Sequence, residues 1–193
     1  MAVDVESDPR VVRTRRDVLA AARRVLLDEG WERVTVSRVA ERSGYARTTL
    51  YRHWPQRLDL LRDLIGEEAR VAHTAPVGDL RSDLIAELEA FRVAVTSAGL
   101  GRMMIAIGQQ ARDDSELAEL NQSMREAGVR VLGEIIAAGV ERGELVRDLD
   151  ASAAAAQLLG PVLFAYLFEA RNSLDNTFVV AVVDWFLRAA AVR

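Results

Sequence analysis

The 193-residue chain has no cysteine, which excludes disulfides, thiolate-ligated zinc, thiolate catalysis and thiol redox sensing together. It also has no lysine, so all 25 basic residues are arginine, which reads as compositional bias rather than a device. Histidine is limited to His53 and His73. No paired-histidine metal motif or phosphate loop accompanies them, so no catalytic residue, metal or cofactor is expected. Asp113-Asp114 reads as a helix boundary, because no second ligand cluster has suitable spacing.

Long charge-free runs are also scarce. The one candidate, Ala151 to Phe168, is eighteen residues long, at the short limit for a bilayer span. It is half small residues, contains Ser152 and Gln157, and follows Asp148 and Asp150 rather than basic residues. A helix buried between protein surfaces is expected, with no membrane partner. The opening MAVDVESDPR is acidic and has no apolar run after a basic start, unlike a secretory signal. A cytoplasmic location is expected.

Charge is unevenly distributed. From Arg10 to Arg57 there are twelve arginines against five acids, an excess of about +7 in a chain of net charge −4, so the remainder carries about −11. The basic quarter is the candidate polyanion surface.

Proline and glycine are rare inside the periodic segments and no strand alternation persists, so the chain reads as all-α. Helix 1 is expected over Thr14 to Glu29, with Val18, Ala22, Val25 and Leu26 on one face and Gly30 as its stop. Helix 2 spans Val36 to Ser43 with Thr35 as N-cap, Gly44 supplies the turn, and helix 3 spans Ala46 to His53. Pro55 ends that unit, and helix 4 runs from Gln56 to about His73. Longer helices follow at about 79–97, 100–111, 115–141, 150–170 and 176–191, with Asp79, Ser115, Asp150 and Asn176 near their starts. Pro161 should kink the fourth of these, since it cannot donate to the Gln157 carbonyl. The expected domains are 1–60 and 61–193, joined and mechanically coupled through helix 4.

The stretch from Thr35 to Leu61 reads as a helix-turn-helix. Val36, Val39, Ala40, Leu50 and Trp54 are spaced to form a small core against helix 1. Arg47, Thr48 and Thr49 occupy the first turn of helix 3, which faces base edges when such a helix enters a major groove. An arginine can fork to guanine there, and a threonine methyl can meet thymine. Thr35 combines a hydroxyl with a helix N-terminus, a pairing suited to a phosphate oxygen. Arg38 and Arg42 fit a phosphate-facing or merely solvated face equally, and Tyr51 fits a core or a contact position. Arg10, Arg13, Arg15 and Arg16 fit a flexible arm reaching DNA or a solvated tail.

The order Gly30-Trp31, Thr35-Val36, Val39-Ala40-Glu41, Gly44, Thr49-Leu50-Tyr51, His53-Trp54 and Arg57 resembles the TetR family of bacterial transcriptional regulators. The detailed match covers about residues 14 to 61. Arg142-Gly143-Glu144-Leu145, Asp148 and the closing helix pair also look like one of the family's C-terminal types. The resemblance implies a three-helix DNA-binding domain joined to a larger helical domain for effector binding and dimerisation. It also implies phosphate contacts at Tyr51, His53 and Arg57, and a base or phosphate contact at Ser37. The chain departs from the pattern at Ala46, where a serine cap is common, at Leu58 in place of an acid, and at Arg57 in place of lysine.

The last two helices are too apolar for a wet face in a monomer. Leu159, Val162, Leu163, Tyr166, Val179, Val183, Phe186 and Leu187 are therefore expected in a four-helix interface between two copies. Such a homodimer would read a roughly palindromic double-stranded operator. An effector pocket is expected among 79–141, lined by Phe91, Met103, Met104, Ile107 and Met124 with Arg92 and Gln110 as polar anchors. The leading reading is a DNA-binding repressor released by a small molecule. The alternatives are an effector-independent dimer that bridges DNA, and a helical enzyme with an incidental N-terminal segment.

Overall fold

The computed structural model describes residues 9–71, 73–97, 99–169 and 173–192. Among these residues the architecture is all-α. Its helices are α1 (Pro9–Glu29), α2 (Val36–Ser43), α3 (Arg47–His53), α4 (Arg57–Val71), α5 (Leu80–Ser97), α6 (Leu100–Gln110), α7 (Ser115–Glu141), α8 (Ala151–Phe168) and α9 (Asn176–Ala190). The β pairing among them is an isolated bridge between Leu145 and Ala191. Two compact units divide after Glu67, inside α4.

The first unit is built on α1, whose Val18, Ala22, Val25 and Leu26 are buried as their spacing requires. Val36, Val39, Ala40, Leu50 and Trp54 complete this core with Leu60, Leu61 and Leu64 of α4. The start of α1 lies five residues earlier than the apolar period suggests. Pro9 is tolerated because a first-turn residue needs no intrahelical N–H bond. Arg10, Arg13, Arg15 and Arg16 therefore stand on helical turns, not on a flexible arm.

In the second unit, Leu84, Leu88, Met103, Ile107, Leu132, Ile136, Leu158, Val162, Val179 and Val183 form the core. Helix α8 runs through Pro161 and packs on α7, α5 and α9. It is long and apolar enough to cross a membrane by length and composition, but Ala154, Ala155, Leu158, Val162 and Ala165 are buried in this core. Its Tyr166 ring lies over Gly101 of α6, where an added Cβ would stand 2.5 Å from ring carbon.

Two buried acids fix the approach to α5. Asp83 accepts from the backbone N–H groups of Val77 and Gly78 at 2.7 and 2.9 Å. Glu87 accepts from the Thr74 N–H at 2.8 Å and its hydroxyl at 3.1 Å, and also bonds His73 Nδ1. Both carboxylates are thereby compensated for loss of water.

Candidate nucleic-acid interface and helical-body cavity

Local chemistry sets the α2–α3 turn. The Thr35 hydroxyl accepts from the Arg38 N–H at 3.1 Å, which satisfies one of the open donors at the start of α2. At the other end Gly44 adopts φ 77° and its N–H donates to the Ala40 carbonyl, a left-handed position that favours glycine. Ala46 provides no side-chain cap for α3. A seven-residue helix without such a cap depends on packing. Leu50 is fully buried, and the buried Trp54 donates its indole N–H to Asp63 at 2.7 Å. Thr35→Ala should lower stability by about 1 kcal/mol, read as a reduced urea midpoint, and an unchanged midpoint would refute the capping role.

A ladder of ion pairs crosses the exposed side of this unit. Arg38 holds Glu29 with two bonds of 2.7 and 2.9 Å and Glu41 at 3.1 Å, and Arg47 reaches the other oxygen of Glu41 at 2.7 Å. Arg42 pairs with Asp28 at 2.8 Å. Arg38 and Arg42 thus tie α2 to α1 and are not simply a solvated face. The Arg38 hydrogen bonds hold both glutamates below the ordinary carboxylate range, with Arg47 adding to the effect on Glu41. With folded values depressed, these pairs favour the fold at neutral pH and lose that contribution as pH falls through the lowered values.

Of the eight residues singled out for DNA contact, four are exposed and four half-buried. Arg47, Thr48, Thr35 and Tyr51 are exposed, and Ser37, Thr49 and His53 are half-buried. The hydroxyls of Ser37 and Tyr51 stand 3.4 Å apart, which joins α2 and α3 in one polar patch. Tyr51 is 47% exposed and so is not a core residue. Arg57 is half-buried and its Nε–H donates to the Val34 carbonyl at 2.8 Å, a structural duty its sequence position does not announce. His53 adjoins the Trp54 ring and a surface hollow shared with Val11, Val12, Arg15 and Arg52.

In the second unit a cavity of about 290 Å³ lies among α5, α6, α7 and α8. Phe91, Met104 and Met124 line it, as their sequence suggests. Met103 and Ile107 do not line it, because both point fully into the core. Arg92 does not either, since it is bound to Glu89 and to the Leu174 carbonyl, and Gln110 is on the exposed surface. The sequence reading missed His73, Asn121, Arg125, Gly128 and Gly160, which line it together with Leu100, Val129 and apolar residues of α8.

The residues expected between two copies divide in two. Leu159, Val162, Val179 and Val183 are buried within the protomer, and Tyr166 packs over Gly101, so these five do not form an outward face. Leu159 and Leu163 line the cavity. Phe186 and Leu187 are half-buried. The outward apolar surface is instead Phe164, Leu167, Phe168 and Trp185, with a groove where Pro161 meets Phe178, Val182 and Phe186.

Residues 18–64 match the model described as bacterial regulatory proteins, tetR family, and residues 74–185 match that of the tetracyclin repressor-like C-terminal domain. The chain is similar to the HTH-type transcriptional repressor BepR of Brucella suis biovar 1, at 28% identity over 77% of each chain. It is also similar to the crystal structure of the TetR family transcription regulator SCO0332, with 29% identity, a TM-score of 0.72 and coverage of 93% of this chain and 100% of that one. The solved SmeT-triclosan complex shares the fold, with a TM-score of 0.70 at 19% identity over 93% of this chain and 92% of that one.

Proposed function

This chain belongs to the TetR family of transcriptional regulators, and from that premise we propose a cytoplasmic repressor that binds a palindromic operator as a homodimer and is released by a small molecule. Residues 1–60 read DNA, and 61–193 dimerise and hold the effector. Arg47, Thr48, Thr49 and Ser37 contact bases, while Thr35, Tyr51, His53 and Arg57 hold the backbone register.

The observation that carries the DNA reading is the first turn of α3, where Arg47 and Thr48 are exposed on a helix pair otherwise anchored in the core. Arg47 is held by Glu41 in the free protein. Exchanging that exposed pair for a guanine edge costs little, because surface ion pairs contribute at most about 1 kcal/mol. The cavity among α5, α6, α7 and α8 supports an effector site, as does the complex that SmeT, a protein of the same fold, forms with triclosan.

Release follows if the ligand favours the arrangement in which two copies of α3 miss successive major grooves, about 34–36 Å or a multiple apart. A selection from random duplexes tests the reading. The wild type should enrich a two-fold site, with affinity falling steeply as salt rises. Arg47→Ala should relax base preference by about 1–3 kcal/mol at one position of each half-site. Equal affinity of the wild type for every duplex would overturn the proposal.

A further inference from the structure

Resting on the reading that the cavity of the second unit is the effector site, we propose that its ligand is a small apolar carboxylic acid. The hydrocarbon part fills the cavity, and the carboxylate sits at the mouth beside Arg125 and Asn121.

The size and the walls set the first limits. At about 290 Å³ the cavity lies at the lower end of small-molecule sites. Its walls are chiefly apolar, with Phe91, Met104, Met124 and Leu163 among them, and no acidic residue among the described lining. Removing a hydrocarbon from water against these walls supplies affinity without direction. The polar groups supply the direction.

Arg125 and Asn121 line the same cavity, and their side chains make no hydrogen bond or ion pair with any described residue. Arg125 is exposed and Asn121 half-buried, so a carboxylate meeting them keeps part of its hydration and avoids the cost of deep charge burial. A guanidinium matches the two oxygens of a carboxylate and repels a cation. His73 is the third polar residue; its Nδ1 is engaged by Glu87, and Glu87 is occupied by His73 and Thr74.

Two glycines leave room on the cavity walls. Gly128 on α7 and Gly160 on α8 both line the cavity, and a Cβ built on either meets nothing within 4 Å. Close helix packing therefore does not require them. Glycine inside a helix sacrifices helix stability relative to alanine; the space gained lies on the cavity wall at half-buried Gly128 and on its solvent-facing side at exposed Gly160.

The test uses the full chain, titrated by calorimetry with octanoate and 4-tert-butylbenzoate against octan-1-ol and 4-tert-butylbenzyl alcohol. The acids should bind up to about fivefold more tightly than the matched alcohols, the upper value of a partly exposed charge pair. Arg125→Gln should bring acid and alcohol within about twofold of each other by removing that pair. Gly128→Leu should abolish binding of both classes, and Gly160→Leu should weaken it from the solvent-facing wall.

Alcohols that bind as tightly as acids, or an acid preference that survives Arg125→Gln, would overturn the carboxylate assignment and leave the cavity as the effector site. Unaltered binding in both folded leucine variants would overturn the cavity itself. Absence of binding by all four probes up to about 1 mM, the weak limit of specific recognition, would overturn the ligand class.

Discussion

Leu50→Ala is expected to lower the stability of the amino-terminal unit by about 2–5 kcal/mol, the range for a leucine truncated in a packed core. The side chain is fully buried, and α3 has seven residues and no side-chain cap. The Trp54 bond to Asp63 of α4 adds to its hold, whereas its links to α2 through Ser37–Tyr51 and Glu41–Arg47 are exposed polar contacts of small worth. Operator binding should fall with stability and for every sequence alike, because the reading turn loses its position rather than its chemistry. Arg47→Ala gives the contrast, an exposed change with a near-normal urea midpoint and altered base preference. Urea unfolding and operator titration of both variants check this. A Leu50→Ala midpoint equal to the wild type would show that α3 is held by something other than this core.

The parts of this unit that were legible in sequence are those where a local signal and a tertiary need coincide. Thr35 and Gly44 announce the ends of α2 because capping and left-handed turn chemistry each favour few residue types. Where neighbouring residues could serve equally, the sequence sets the end only to within one position. Asp114 and Asp175 cap α7 and α9, beside the expected Ser115 and Asn176. The first turns of α1 were hidden because arginines at 10, 13, 15 and 16 carry no apolar period.

The cavity was half legible for a geometric reason. Met103 and Met104 differ by about 100° around a helix, and composition does not say which one faces a void and which the core. Gly128 and Gly160 contribute by lacking a side chain, and that leaves no mark in a hydrophobic pattern. The ladder from Glu29 through Arg38 and Glu41 to Arg47 was legible only at its i, i+3 step between Arg38 and Glu41. The Glu29 bond depends on how α1 and α2 cross.

Trp185→Asp is expected to convert the dimer to a monomer that remains folded. Helix α8 is apolar around most of its circumference, so its pattern cannot separate the side facing its own subunit from the side facing outward. In the structure Val162, Val179 and Val183 have no exposure, whereas Phe168 is 73% and Trp185 72% exposed. An outward patch of large apolar side chains beside an apolar groove is what a second copy would cover. A two-fold interface uses the same patch on both copies, so one substitution places a carboxylate in both halves of the interface. Sedimentation analysis should then give half the wild-type mass, and operator affinity should fall by about a hundredfold or more as the two half-sites cease to be bound as one. Val183→Ala provides the opposite result, a less stable protomer that still dimerises, because it empties the subunit core. Unchanged mass and operator affinity for Trp185→Asp would exclude this outer face as the place where two copies meet.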